Sequence, residues 1–269
     1  MVTTFFSSLP QLSHYFVIVL AGFGAGALNA VAGGGTFLSF PALLATGMPP
    51  IMANASNSVA LWPGSLAAAW AFRVELWRFR RILPGLSVLA LAGGVGGGLL
   101  LLSISNALFT HLIPWLLLLA TLVFAYSQQI SLWVHKRSPT SSTEPGAQGA
   151  KKIGIGGYCF QLLVSIYGGF FGAGMGILML AALAIQGFAD LHEVNALKNW
   201  LSALIYSVTV LTFILAGAIS WPHTLVMLVA ATIGGYGGAR LARRIPAIWL
   251  KRFIVSVGGL LAIYYFYKI

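Results

Sequence analysis

Ten apolar runs, parted by short polar or Pro/Gly breaks, fill almost the entire sequence. They lie at roughly 12–31, 34–46, 51–72, 82–103 and 107–133, then at 153–173, 175–188, 192–218, 222–241 and 247–267. Each run is continuous rather than alternating, so it reads as helix; a membrane barrel would alternate with period two. Charged residues make up 7% of the chain and hydrophobic ones 59%, whereas a soluble domain carries about 25% charge. A soluble fold of 269 residues could not cover that apolar surface. The expected fold is an all-α integral membrane protein.

Two of the runs are too short to cross alone. The second and seventh hold about 13 residues, or about 20 Å of helix, against a hydrocarbon core of about 30 Å. Each follows a glycine-rich stretch: Gly22-Phe-Gly-Ala-Gly26, Asn29 and Gly33-Gly-Gly-Thr36 in the first half, Gly168 to Gly176 in the second. Each ends at a glycine, Gly47 or Gly187, and is followed by an Asn cluster. Paired, Gly-interrupted short segments at matching places in two halves point to the binding site of a repeat-built transporter.

The stretch from His135 to Lys152 is rich in Ser, Thr and Pro and reads as a linker,. The expected organisation is therefore a first membrane repeat over 1–134, a linker over 135–152 and a second repeat over 153–269. Residues 1–14 hold no Lys or Arg, so they lack the basic region of a cleaved signal, and the run from Leu12 reads as the first membrane segment,.

The formal net charge is +11, which in a soluble chain would suggest nucleic acid,. Here the cations sit between apolar runs. Arg73, Arg78, Arg80 and Arg81, then Lys136, Arg137, Lys151 and Lys152, then Arg240, Arg243, Arg244, Lys251 and Arg252 fall in three loops, while the turns at 103–106 and 220–223 carry none. The positive-inside rule makes the three basic loops cytoplasmic and argues against a nucleic-acid partner. Corresponding loops of the two halves then face opposite sides, which predicts two inverted five-segment repeats. Each short segment either crosses with its neighbour, giving ten spans, or forms a re-entrant hairpin, giving eight. Both counts place both termini outside.

The glycine breaks carry the candidate site. Gly33, Gly34 and Gly35, and Gly172, Gly174 and Gly176, interrupt helices, and unwound backbone at membrane depth is tolerated only beside protein or a water-filled cavity. If helices restart there, their free N–H groups and dipoles favour an anion; close packing through small residues is the alternative. Asn29 and Thr36 flank the first break. Asn54, Asn57 and Ser58 share a face at the start of the third segment. Asn195, Asn199 and Ser202 share a face of the eighth, beside Lys198,. Capping explains Asn54 and Asn195 but not Asn57 or Asn199, which lie a turn further in. Lys198 lies outside the basic loops and the C-terminal end. It is a candidate counter-charge for a bound anion or a group in proton coupling; snorkelling and pairing with Asp190 or Glu193 are the structural alternatives.

Other chemistry finds little support. Cys159 stands alone in an apolar run, which excludes an internal disulfide,. No spacing of His and Cys supports a metal, and no cofactor is expected. The sequence holds no GxSxG, HExxH or GxxxxGK[ST], so transport would draw on an ion gradient or on the substrate's own. Trp62-Pro63 suggests a kink in the third segment.

The glycine-rich first segment, Gly33-Gly-Gly35, Pro41, Gly47-Met-Pro-Pro50 and the Asn cluster resemble the first repeat of the TauE/SafE family, also called the 4-toluene sulfonate uptake permease family. Phe171-Gly-Ala-Gly-Met-Gly176 and Asn195-Ala-Leu-Lys-Asn199 resemble its second repeat. One departure is Ala181-Ala182, where the family often has a proline like Pro41. The resemblance implies a bacterial or archaeal inner-membrane secondary transporter of sulfite, sulfoacetate or related anions, often an exporter. The expected function is alternating-access transport of a small anion, with a coupling proton as a further expectation and the lipid bilayer as the other partner. A passive anion channel and a membrane subunit partnering another protein are the alternatives.

Overall fold

A computed structural model describes residues 2–32, 34–126, 129, 154–186, 188, 191–238 and 247–268. The expected linker at 135–152 lies outside the described residues, as do Gly33 and Gly187. Each of the ten apolar runs forms a helix. The first half gives α1 (Val2–Ala32), α2 (Thr36–Ala45), α3 (Pro50–Ala71), α5 (Leu83–Ser103) and α6 (Asn106–Ala125). The second gives α7 (Ile155–Phe170), α8 (Met175–Ile185), α9 (Leu191–Leu215), α10 (Trp221–Ile233) and α11 (Ala247–Lys268). One element was not expected: the basic loop after α3 forms a short helix α4 (Arg73–Leu76) and a 3-10 turn (Trp77–Phe79).

Helix starts follow local chemistry. Prolines open α3, α5 and α10 at the first or second position, where no N–H is required,. The Ser105 hydroxyl accepts from the Leu108 N–H at 3.2 Å and caps α6,. Pro63 lies inside α3, which runs unbroken through it. α10 ends earlier than its apolar run, because Gly234–Gly238, four glycines around Tyr236, widens into a π-helical turn,.

Three helices among the described residues are long and apolar enough to cross a membrane unaided: Leu83–Ser103, Asn106–Ala125 and Val194–Leu215. The short ones work in pairs. α2 turns back along α1, so that a methyl on Gly35 would lie 2.5 Å from the Ala25 carbonyl oxygen and one on Gly24 3.0 Å from Leu38. α8 turns back along α7, and Gln186 near its end donates to the Gly157 carbonyl at 3.3 Å. Both pairs are hairpins bent at the glycine breaks.

The helix contacts pair off when the halves are exchanged. α1 packs along α10 and α7 along α5, so the first helix of each half lies on the fourth of the other. α3 packs on α9 and α6 on α11, like on like; α2 meets α11 and α8 meets α6. α6 and α11 run antiparallel, with Trp115 beside Phe266 and Thr121 against Gly258. One end of the bundle carries Arg73–Arg81, the start of α7 and the end of α8. The other carries the turns before α6 and α10 and the stacked Tyr15 and His223 rings, 5.4 Å apart.

The α1–α10 and α5–α7 seams are the closest in the fold. A Cβ added to Gly26 would lie 1.9 Å from the Ala231 carbonyl oxygen, and one on Gly97 would lie 2.1 Å from that of Ile166. Backbone sits against backbone, the membrane-protein device for close helix approach. Gly97→Ala is therefore expected to destabilise the purified protein by about 2 kcal/mol, since neither backbone can retreat cheaply. Gly96→Ala, whose methyl meets nothing within 4 Å, should be neutral or slightly stabilising,. Thermal unfolding of both variants in detergent makes the comparison.

Candidate functional site

A cavity of about 660 Å3 lies between α3 and α9. It runs from Phe72 and Tyr236, at the basic end, up to Gly172 and Tyr206. One wall is made mainly of small apolar residues, from α3 between Ala60 and Ala71 and from Ala231 of α10, with Ser65 and Thr232 among them. The facing wall is polar: Asn195, Lys198, Asn199 and Ser202 on α9. Its roof is the second helix break, with Gly172, Met175 and Gly176.

The polar wall exists because α9 projects 195, 199, 202 and 206 on one face, three or four residues apart. The roof exists because the chain reverses within four residues. Gly172 and Gly174 take φ of +77° and +71°, which an L side chain rarely adopts,. That reversal points the start of α8 at the cavity, with its partial positive charge. Lys198 reaches the same place: its Cδ lies 3.8 Å from where a Gly176 methyl would sit. Glu75 is the one carboxylate among the described side chains, and it does not line the cavity. The side chains of Asp190 and Glu193 lie outside the described residues. The resulting chamber has a cation, a helix N-terminus, two amides and a hydroxyl on one side and, on the other, a mainly apolar surface that carries Asn29, Ser65 and Thr232. Chemically it suits an anion that has to be desolvated and hydrogen-bonded.

Of the candidate site residues, the structure brings Asn29, Gly172, Gly176, Asn195, Lys198, Asn199 and Ser202 together around this cavity. Gly33 lies outside the described residues. Gly34, Gly35, Thr36, Asn54, Asn57, Ser58 and Gly174 are buried and do not line it. Asn57 accepts from the Ser39 hydroxyl through Oδ1 and donates to Thr36 Oγ1 at 3.5 Å through Nδ2, which ties α3 to the start of α2. Asn54 Nδ2 donates to the Phe170 carbonyl at 2.9 Å, covering the end of α7. Ser58 bonds back to the Asn54 carbonyl of its own helix at 3.0 Å. Gly174 packs on Ala120 and Gly34 faces Phe124, so both breaks meet the last turns of α6.

Two tyrosines were not among the sequence candidates. Tyr167 donates to the Ala173 carbonyl at 2.7 Å and so holds the second break. Tyr206 lines the cavity and places its hydroxyl 3.4 Å from where a Gly172 methyl would sit. A signal for Tyr206 was available: it continues the 195–199–202 face by one more turn. Beyond the roof, Phe40, Phe109, Phe170 and Phe171 pack edge to face with centroids 5.4–6.4 Å apart and close the path to the other end,.

Comparison with known proteins agrees with the helical membrane architecture. The family model described as "Sulfite exporter TauE/SafE" matches residues 18–265. A "Probable membrane transporter protein" of Haemophilus influenzae is 30% identical over 230 residues, 84% of each chain. "Probable membrane transporter protein YfcA" of Escherichia coli K12 is 29% identical over 255 residues, covering 92% of this chain and 86% of that one. "Probable membrane transporter protein ORF9" of a Sinorhizobium species is 26% identical over 254 residues, covering 91% of this chain and 90% of that one. No solved structure matches. The chain belongs to the TauE/SafE family and is a membrane-embedded transporter.

Proposed function

We propose that this transporter carries a small anion, sulfite or an organosulfonate, outward across the inner membrane by alternating access. The observation that supports this best is the chamber itself. A single described cation, two amides and a helix N-terminus converge on a space reached from the basic end and sealed from the other. Placing the basic loops in the cytoplasm, as their charge suggests, makes this an inward-open state and puts both termini outside. Antiparallel α6 and α11, and the exchange pattern of helix contacts, support an inverted repeat.

The glycine seams indicate which parts move. They bind α10 to α1 and α5 to α7 so closely that separating them would forfeit backbone-to-backbone packing,. The moving units are then α1–α3 with α10, and α7–α9 with α5, each holding a helix from both halves. The cavity lies along their boundary: Asn29, α3 and α10 on one side, the second break and α9 on the other. Rocking about this boundary would open the sealed face while closing the present mouth. A passive pore needs no such seal.

Two measurements test this reading. In a thermal-shift titration of purified protein with sulfite, sulfonates, sulfate and carboxylates, at least one anion should stabilise the wild type. Lys198→Ala should weaken that binding about 10-fold or more, the scale of one charge-assisted hydrogen bond. Asn57→Ala should lower the unfolding temperature with the titration midpoint unchanged, because its amide serves α2. If no anion stabilises the wild type, or Lys198→Ala binds unchanged, the site is wrong. In proteoliposomes, labelled substrate should show trans-stimulated exchange; flux that neither saturates nor exchanges would mark a pore.

Orientation has its own check. A reporter fused after Ile269 should be active on the periplasmic side, and cytoplasmic activity would overturn the topology.

A further inference from the structure

The last turn of α7 ends in oxygens that lack donors. The Phe171 and Gly172 N–H groups both donate to the Tyr167 carbonyl, at 2.9 and 3.3 Å. The carbonyls of Gly168 and Gly169, next along the chain, then receive no backbone N–H, the ordinary condition of a helix C-terminus. Both residues are buried, and no donor among the described residues reaches either oxygen. The Phe170 carbonyl accepts from Asn54 Nδ2 at 2.9 Å. That bond fixes which way the Asn54 amide points, so Oδ1 is held at the same helix end. Asn54 is 1% exposed, and its Oδ1 is buried with no hydrogen-bond partner. Two backbone oxygens and one side-chain oxygen thus stand without donors beside the Phe170 carbonyl. Orphan acceptors at membrane depth are costly, so something has to meet them.

We propose that Asn54 Oδ1 and the carbonyls ending α7 bind a monovalent alkali cation. Three features select that ligand. The C-terminus of α7 carries partial negative charge. The oxygens are acceptors without a donor among them, which suits a cation, whereas one water donates only two hydrogens. Half-helix ends and unwound carbonyls are the usual ligands for a cation at a broken membrane helix. A divalent ion would call for carboxylates, and Glu75, the one carboxylate among the described side chains, sits in the basic loop after α3. The second break then has two poles: the start of α8 faces the anion chamber, and the end of α7 faces the cation. Asn54 belongs to α3 and the carbonyls to α7. On the two-unit reading above they lie on opposite sides of the moving boundary, so closure of this face completes the ligand set.

Thermal unfolding of the purified full chain in chloride salts of equal ionic strength tests the site. Na+ or K+ should raise the unfolding temperature saturably relative to choline, by about 3 °C at ten times its Kd. Asn54→Ala should unfold at a lower temperature and lose that cation-specific rise. Asn54→Asp should keep a rise, because a carboxylate oxygen stands in for the amide oxygen. A purely structural Asn54, serving only the Phe170 carbonyl, would lower the stability of both variants and leave the three salts indistinguishable. Equal unfolding temperatures for the wild type in Na+, K+ and choline, or a rise that survives Asn54→Ala, would overturn the proposal. If Asn54→Ala does not fold, the Asp variant decides: its titration midpoint should move about threefold or more from the wild type, since a full charge replaces a dipole, and an unmoved midpoint sinks the site. No transported anion enters this test, so failure of the anion titration would sink the substrate reading and leave the cation result readable.

Discussion

A helix broken inside a bilayer leaves backbone groups with no water to bond, and this chain breaks two. Each orphan costs several kcal/mol in hydrocarbon, so it has to be met by protein. Much of the polar inventory is used for this. The Phe170 carbonyl is met by Asn54, the Ala173 carbonyl by Tyr167, and the start of α2 by Asn57 and Ser39. Asn54 and Asn57 come from a neighbouring helix, α3, while Tyr167 and Ser39 belong to helices that flank the breaks, so each break is held both by its own helices and by α3.

The two breaks sit at matching places in the two halves but in different surroundings. Asn57 and Asn199 each lie about two turns into the third helix of their half, yet one is bonded within the protein and the other faces a cavity. Lys198 faces the chamber, whereas Ser56, at a comparable depth in α3, accepts from the Ser220 N–H at 3.0 Å and anchors the turn into α10. On the alternating-access reading proposed above, a repeat-built fold with one mouth open would look this way. One half's polar face lines the cavity, while the other half's is bonded within the protein.

How much of this the sequence revealed depends on whether the feature was local. All ten helices were legible, because apolar runs and their Pro and Gly boundaries are local signals. α4 was not, since four residues packed by tertiary contact leave no period. The α9 face was legible from spacing alone, and extending it one turn reaches Tyr206. The roles of Asn54 and Asn57 were not legible. An amide that binds cargo and one that bonds a neighbouring backbone look the same in sequence, and only the fold brings Phe170 and Ser39 to them. The glycines divided similarly. Gly22–Gly26 was grouped with the first break, but Gly22 and Gly26 pack α1 on α10, and the break itself begins after Ala32.

That division bears on mechanism. Glycines in the seams remove side chains so that two backbones approach closely, while Gly172 and Gly174 at the second break remove the steric bar to a reversed chain,. The same residue type therefore makes the stiff parts and the bends. Because each seam joins helices from opposite halves, a sequence half and a moving unit of the proposed kind would not coincide. α10 is tied by packing to α1 and by the chain to α9, so under the proposed two-unit motion the turn from Gly217 to Ser220 would have to flex, as would the loop from Phe72 to Ile82 between α3 and α5. Gly217 takes φ of +64° with nothing within 4 Å of its Cβ position, and Glu75 Oε2 is buried without a partner in the other loop. The two connections that the two-unit model requires to flex are thus a glycine turn in open space and a segment with one unsatisfied carboxylate oxygen. The glycine turn is open, whereas the second connection is anchored through Leu76 and Phe79, 5% and 3% exposed, on the core it shares with α7–α9.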